Sequence, residues 1–408
     1  MHTRRWCRTP RTLKSDACDA FARALSRRAH HGGLGMIQGS LTIQRLLGAM
    51  GKLDASDLHL KVGLPPTYRV GGHLKPIDAE ALSEDEADHI LDPILTDAQR
   101  ARFTADGNLD FAWYLSSGDR FRINMFRSGN HVHAAIRRVK AEIPSYESLH
   151  LPPIYNKLVE RTFEGLVLVV GVTGSGKSST LAAMLDHVNE TRDENIITVE
   201  DPIEYRFTPK RSIISQREIG IDVKDFHTAL RFVVRQDPDV IFIGEMRDAE
   251  TVLAAIQAAE TGHLVFATLH TQDVMLAMSR MLEFFPPTER DFIRSSLANT
   301  LKAICAQRLL PAAEGFAGKV VPATEVLLTS PTVREKIREG EDRDLPAIIN
   351  GSRSEGMRSF TTSLAELVEA EAVTLQTARE FAPNREALES LLKGVEVKAQ
   401  TLVSRIKG

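Results

Sequence analysis

The chain is poor in cysteine, in aromatic residues and in any excess of charge, and each shortage removes a class of function. Three cysteines in 408 residues, Cys7, Cys18 and Cys305, are odd in number and have no metal-ligand spacing. That argues against a disulfide scaffold or a zinc module and for a reducing, cytosolic setting. Aromatic residues make up only 6% of the chain, which argues against a stacking platform for nucleic acid. Lysine plus arginine, 51, nearly balances aspartate plus glutamate, 54, and the net charge of -3 provides no global field toward nucleic acid or an acidic bilayer. No apolar run approaches the ~18 to 20 residues that span a membrane, so any membrane association is expected to come through a partner rather than by insertion.

What is present is unevenly distributed. The first 35 residues carry Arg4, Arg5, Arg8, Arg11, Lys14, Arg23, Arg27 and Arg28 against only Asp16 and Asp19. They lack the apolar core of a secretory signal and are read as a disordered, functionally silent tail, an over-extended start upstream of Met36. A transit peptide and a basic nucleic-acid arm are the alternatives. From 36 to 140 the pattern predicts a small α+β domain. Ser40 caps a helix with Ile43, Leu46, Leu47 and Met50 on one face, and period-two strands follow at 55–60, 67–70, 109–114 and 120–127, with a helix at 84–91. The proline-punctuated stretch 141–153 reads as a linker and hinge. From 154 to 370, β-branched runs at 166–170, 196–199, 240–243 and 264–269 alternate with helices, the pattern of a parallel sheet with helical crossovers. The tail, including 371–408, reads as mostly helical and charged, and Cys305 as a core thiol within an apolar helix.

The run 166–170 leads into Gly171-Val172-Thr173-Gly174-Ser175-Gly176-Lys177-Ser178-Ser179, a phosphate-binding P-loop. Its glycines let backbone N–H groups close on a triphosphate, and the helix that follows presents its positive end to the same anion. Lys177 is expected to reach the β- and γ-phosphates of ATP, and the Ser178 hydroxyl to hold Mg²⁺. Two later strands deliver acids at the same sheet edge. Glu200-Asp201-Pro202-Ile203-Glu204 follows 196–199, and Gly244-Glu245-Met246-Arg247-Asp248 follows 240–243; a carboxylate there can bind Mg²⁺ through water. His263 and His270 bracket the strand 264–269, and on spacing alone they read as structural histidines. Arg120, Arg122, Arg127, Arg137 and Arg138 crowd the small domain; in an oligomer such arginines act across an interface, each worth about 10³ to 10⁵ in rate.

Together these segments resemble the secretion ATPases of the type II/type IV pilus class, and within it the pilus retraction ATPases. Residues 197–204 are similar to that family's Asp box, 235–251 to its Walker B region and 259–271 to its His box, and the resemblance runs from about Leu41 to about Glu366. It implies an α/β fold: a RecA-like P-loop NTPase core with a smaller N-terminal α+β, PAS-like domain. It further implies Glu204 as the catalytic base, Glu245 as the Walker B acid and His263 with His270 as a nucleotide-sensing pair, overriding the structural reading of the histidines. Arg122, Arg127 and Arg137 would reach a neighbour's nucleotide in a homohexameric ring. ATP turnover would drive domain motion against a platform protein at the inner-membrane base of the pilus, withdrawing pilin and giving twitching motility. In the C-terminal part, Thr332-Val333-Arg334-Glu335-Lys336-Ile337-Arg338-Glu339 departs from the retraction pattern at Lys336, where an apolar residue is usual.

Four readings compete. Extension and secretion ATPases carry a further N-terminal domain and a four-cysteine zinc motif that this chain does not match. An accessory retraction paralogue is nearer, and such a paralogue is also a candidate partner. A nucleic-acid translocase is disfavoured by charge and aromatic content, and a non-hydrolysing scaffold by the presence of Lys177, Glu204 and Glu245.

Overall fold

The computed structural model describes residues 41–116, 118–139 and 142–394, so the basic tail, Ser40 and the end of the C-terminal extension lie outside the described residues. The chain divides into two compact units, Met1–Val139 and Lys140–Gly408.

In the first unit, helix α1 (Ile43–Lys52) buries Ile43, Leu46, Leu47 and Met50. Its cap is Thr42, not Ser40: the Thr42 side chain accepts from the Arg45 N–H. Strands β1 (Ala55–Lys61), β2 (Thr67–Val70), β3 (His73–Pro76), β4 (Asn108–Tyr114), β5 (Arg120–Ser128) and β6 (His131–Val139) form one antiparallel sheet in the order β3-β2-β1-β6-β5-β4. Helices α2 (Glu84–Leu91) and α3 (Asp97–Asp106) each begin with a capping box, Ser83 with Glu86 and Thr96 with Gln99. Alternation along β5 sends Phe121, Ile123 and Met125 into the core and Arg122 to the opposite face.

The second unit is a seven-stranded sheet, β7 (Gly165–Val170), β8 (Asn195–Glu200), β9 (Ile213–Glu218), β10 (Val240–Ile243), β11 (Leu264–Leu269), β12 (Leu301–Pro311) and β13 (Val320–Leu328). Its order is β13-β12-β7-β11-β10-β8-β9, parallel throughout except for the β12–β13 pair. The central strands read as unbroken apolar runs because both faces are covered. Leu166, Leu168, Val170, Ile241, Ile243, Val265 and Ala267 belong to one core with α6 (Phe226–Val233), α7 (Ala249–Glu260) and α8 (Val274–Glu283). Val167, Val169, Val240, Phe242, Leu264 and Phe266 pack on the other face with α4 (Ile154–Arg161) and α5 (Lys177–Thr191).

Three features differ from the pattern-based reading. Cys305 lies on β12, a strand and not a helix, paired with Val169 and Val326; it is buried, and burial pushes its thiol up to about 12. The stretch expected to be a free linker lies on the second unit from Ile143 onward: Ile143, Tyr146, Leu149 and Leu151 pack into its core, Tyr146 hydrogen-bonds His187 at 3.2 Å, and His150 bonds the Ala317 carbonyl at 3.0 Å. The extension beyond 370 is core-bearing too, with Ala372, Val373, Ala378 and Leu388 buried in the same cluster as the sheet. Among the described residues no helix is long and apolar enough to cross a membrane.

Candidate nucleotide site

Strands β7, β8, β10 and β11 all end at one edge of the second sheet, and the chemistry-bearing loops leave from there, where open parallel sheets place their ligands. The loop after β7 needs its glycines for different reasons. Gly174 and Gly176 have φ of 78° and 89°, a left-handed conformation that other residues resist. A side chain at Gly171 would bring its first carbon within 2.3 Å of Ser175 Oγ and 2.6 Å of the Gln307 carbonyl. A side chain placed at Gly174 would have its first carbon more than 4 Å from any other described residue's atoms beyond its chain neighbours, so the cradle is open on that side. The first residue ahead of α5, Gly176, brings no side-chain acceptor to the helix N-terminus, and the buried Ser175 Oγ has no hydrogen-bond partner among the described residues. Uncapped N–H groups, an open glycine loop and an adjacent buried lysine fit a polyphosphate anion.

Lys177 is 8% exposed and donates to the carbonyls of Gly171 at 2.8 Å and Val172 at 3.1 Å. Burial lowers its pKa, and the charge of Glu245 works in the opposite direction. Ser178 is exposed in the first turn of α5, while Ser179 exchanges a 2.7 Å hydrogen bond with the Tyr205 hydroxyl. One buried side chain braces the loop from behind: Gln307 on β12 donates to the Ser175 carbonyl at 2.7 Å and accepts from the buried Thr180 Oγ1 at 3.0 Å.

Glu245 follows β10 by two positions because Gly244 must come first. A side chain at 244 would meet the Glu200 Cα at 3.1 Å and the Val199 carbonyl at 3.2 Å, and the Gly244 N–H donates to that carbonyl at 2.8 Å. The Glu245 carboxylate then sits 2.7 Å from Arg247 and 3.4 Å from His270 Nε2. Arg247 also reaches Asp201 at 3.5 Å, joining the loops after β8 and β10. His270 Nδ1 lies 3.3 Å from Thr173 Oγ1 in the P-loop. Burial, and then the charge of Lys177, hold the His270 pKa below the ordinary value, so the ring is neutral near pH 7. A neutral ring that donates from Nε2 to Glu245 accepts at Nδ1 from Thr173.

His263 is not part of this cluster. It precedes β11, its carbonyl accepts from the Gly165 N–H that opens β7, and its ring bonds Ala258 and Thr261. The two histidines therefore lie at opposite ends of one strand. Glu204 stands exposed on the loop after β8, between buried Ile203 and Tyr205. At the end of β8, Glu200 is almost completely buried, and burial pushes its pKa up to about 7 against hydrogen bonds from Thr198, Gln216 and the Glu204 main chain.

In the first unit, described by itself, Arg122 and Arg137 are register partners on the face away from the core. Arg137 pairs with Asp57 at 2.9 Å, and Arg122 lies 3.9 Å from Asp110. Arg127 falls on the other face of β5, its guanidinium 5.4 Å from the centre of the Phe103 ring. Lys336 faces Glu339 at 3.9 Å and Asp344 at 3.5 Å and pairs with Glu341, while Val333 and Ile337 supply the buried side of their helix. The residue that departs from the family pattern is thus accommodated by carboxylates outside the core.

Sequence reasoning missed Gln307, Arg247 and Gln216. Each has charged or polar neighbours in sequence, Arg308, Glu245 with Asp248, and Ser215 with Arg217, so nothing in the local pattern singled it out.

Comparison with known proteins agrees with this geometry. The family model described as type II/IV secretion system protein matches residues 43–375. The chain is 38% identical over 342 residues to the type IV pilus retraction ATPase PilT of Pseudomonas aeruginosa, covering 84% of this chain and 98% of that protein. It is 37% identical over 369 residues to the type IV pilus ATPase PilU of the same organism, covering 90% and 96%. The crystal structure of the pilus retraction motor PilT with bound ADP superimposes with a TM-score of 0.79 at 39% identity, covering 86% of this chain and 99% of that one. The Legionella pneumophila ATPase DotB follows at a TM-score of 0.70 and 25% identity, covering 86% and 98%. A P-loop, the acids after β8 and β10 and the histidine after β11, on a fold shared nearly end to end with these proteins, make the chain a member of the type II/IV secretion system protein family.

Proposed function

We propose that this chain is an ATP-hydrolysing motor that drives retraction of a type IV pilus. The observation that carries the reading is the convergence of Lys177, Glu245 and His270 on one sheet edge, with the Glu204 loop fastened to the P-loop helix through Tyr205 and Ser179. The backbone of Gly171, Thr173, Gly174, Ser175 and Gly176 and the side chains of Lys177, Ser178 and Ser179 cradle the phosphates of ATP. Ser178, and Glu245 through water, hold Mg²⁺, which would neutralise charge on the β- and γ-phosphates. Glu204 orients the attacking water and accepts its proton; His270 registers the γ-phosphate by way of Thr173. The buried lysine places positive charge where negative charge develops in the transition state.

The working assembly is a homohexamer in which arginines of the small unit reach a neighbour's nucleotide. Arg122 and Arg137 share a sheet face and act together in this reading, whereas Arg127 stands on the other face. The ring works on the cytoplasmic side of the inner membrane against the platform protein of the pilus. Accessory retraction is the second reading, favoured by the 90% coverage of this chain in the match to PilU; in that case the partner is a retraction ATPase of the same family.

Purified protein is expected to hydrolyse ATP only with Mg²⁺, to sediment as a hexamer, and to lose turnover in Lys177→Ala and Glu204→Gln. Unchanged turnover in both variants rules out this mechanism. Deletion of the gene separates the readings. Hyperpiliated, non-twitching cells identify the principal retraction motor, and hyperpiliated cells that still twitch identify the accessory role. Bald cells overturn retraction.

A further inference from the structure

The loop that carries Glu204 has an exposed side chain at its tip and, at its base, the buried Glu200 bonded to the partly buried Gln216. Glu200 closes β8 and is 5% exposed. Its carboxylate accepts from Thr198 Oγ1 at 2.7 Å, from Gln216 Nε2 at 3.2 Å and from the main-chain N–H of Glu204 itself. Gln216 lies on the neighbouring parallel strand β9, in register with Thr198. Its Nε2 donates to the Tyr205 carbonyl at 2.8 Å, and its Oε1 accepts from the Phe207 N–H at 3.0 Å. Three positions of the loop, 204, 205 and 207, are therefore held through main-chain atoms by two side chains. A glutamine suits this because its side-chain amide has two N–H donors, for Glu200 and the Tyr205 carbonyl, and one acceptor oxygen, for Phe207. From the same loop the Tyr205 hydroxyl reaches Ser179 on the P-loop helix at 2.7 Å.

We propose that Gln216 and Glu200 are positioning residues for ATP hydrolysis, a hydrogen-bonded clamp that sets the main chain around Glu204 and so aims its carboxylate at the attacking water. The proposal rests on the reading of Glu204 as the hydrolytic base, and neither clamp residue touches substrate. A misaimed base leaves nucleotide affinity intact and slows the chemical step, by about 10- to 100-fold for displacements near 1 Å.

Gln216→Met keeps the length of the side chain and removes its three hydrogen bonds; Glu200→Gln keeps acceptor capacity in a neutral form and is the milder change. For both, single-turnover ATP hydrolysis and the affinity for a fluorescent ADP analogue are measured on the full-length protein, with thermal unfolding followed in parallel. Gln216→Met is expected to lose at least about tenfold in rate with ADP affinity within about twofold of wild type, and Glu200→Gln to lose less. In a Glu204→Gln background, Gln216→Met should have no further effect, because the clamp acts through Glu204. A full additional loss in that background, an equal loss of ADP affinity, or an unchanged rate in Gln216→Met each overturns the clamp. If Gln216→Met does not fold, Glu200→Gln decides by the same criteria. Full activity of Glu204→Gln alone sinks the underlying assignment of the base and is a separate outcome from failure of the clamp.

Discussion

Replacing Gln307 by leucine is the sharpest test of how the P-loop is held, because one buried side chain braces it from a strand remote in sequence. Gln307 is 1% exposed; its amide donates to the Ser175 carbonyl at 2.7 Å and accepts from Thr180 Oγ1 at 3.0 Å. Leucine occupies a similar volume, so little cavity cost is expected, and the change isolates the polar contacts. Two hydrogen bonds at a net ~1 kcal/mol each are lost, and the Ser175 carbonyl keeps an unmet desolvation cost of about 1 to 3 kcal/mol. The Thr180 hydroxyl can turn back to its own helix and contributes less. With Thr180 discounted, the sum is about 2 to 4 kcal/mol, equivalent to a fall in Tm of roughly 4 to 16 °C for a domain of this size. The same change releases the loop at Ser175, next to Gly176 and Lys177, so nucleotide affinity should fall by about tenfold or more. Gln307→Glu is the companion: a buried carboxylate facing the Ser175 carbonyl should be worse than leucine on both counts. Differential scanning calorimetry and titration with a fluorescent nucleotide read the two effects. A leucine variant that melts within about 1 °C of wild type and binds nucleotide normally would refute the bracing argument.

Three further expectations follow from the packing. Tyr205→Phe removes only the 2.7 Å bond to Ser179, so unfolding free energy should fall by about 1 kcal/mol while the rate of hydrolysis falls more than nucleotide affinity; urea denaturation and steady-state kinetics check this, and equal losses in both kinetic quantities count against it. Glu325 on β13 is pushed by burial from 4.5 up to about 7, although it accepts from the Val274 N–H. A carboxyl whose folded pKa is raised contributes stability that is fully present below the unfolded value and lost as pH rises through the folded one. The advantage of wild type over Glu325→Gln should therefore shrink between about pH 4.5 and 8, by about 3 kcal/mol at most, and a difference that stays constant across that window contradicts the burial argument. Cys305, buried between β7 and β13 with its thiol pushed up to about 12, should resist iodoacetamide at pH 8 in the folded protein and react once unfolded, as peptide mapping at that residue would read.

The parts of the fold legible in the sequence are those whose physics is local. The runs at β7, β8, β10 and β11 are apolar on both faces because helices cover both, and the P-loop declares itself through glycines that only a phosphate cradle requires. The edge strand β9 is partly exposed along Ile213–Glu218 and carries Gln216 and Arg217, so it lacks the buried-strand signal. Strand β12 fails for the opposite reason. Ala303, Cys305, Ala306, Leu309 and Leu310 favour no strand by propensity, and only pairing with β7 and β13 makes them one. Gln307 was hidden with it, since a glutamine next to Arg308 acquires meaning only when the strand lies behind the P-loop.

The histidine pair shows where motif spacing and geometry part. Residues seven apart lie on one face of a helix about 10 Å apart, but along a strand they are separated by roughly 23 Å. His263 and His270 flank β11, so the strand carries His270 to Thr173 and Glu245 and leaves His263 beside Gly165 at the far edge. A sensing role for His270 needs only the nucleotide bound at its own P-loop. A sensing role for His263 needs a nucleotide, or a group that responds to one, presented at the opposite edge of the sheet. Alanine substitutions should therefore separate the two: His270→Ala should reduce hydrolysis in any assembly state, whereas any effect of His263→Ala on turnover should depend on protein concentration. Equal, concentration-independent losses in both variants would show that strand geometry does not govern their roles.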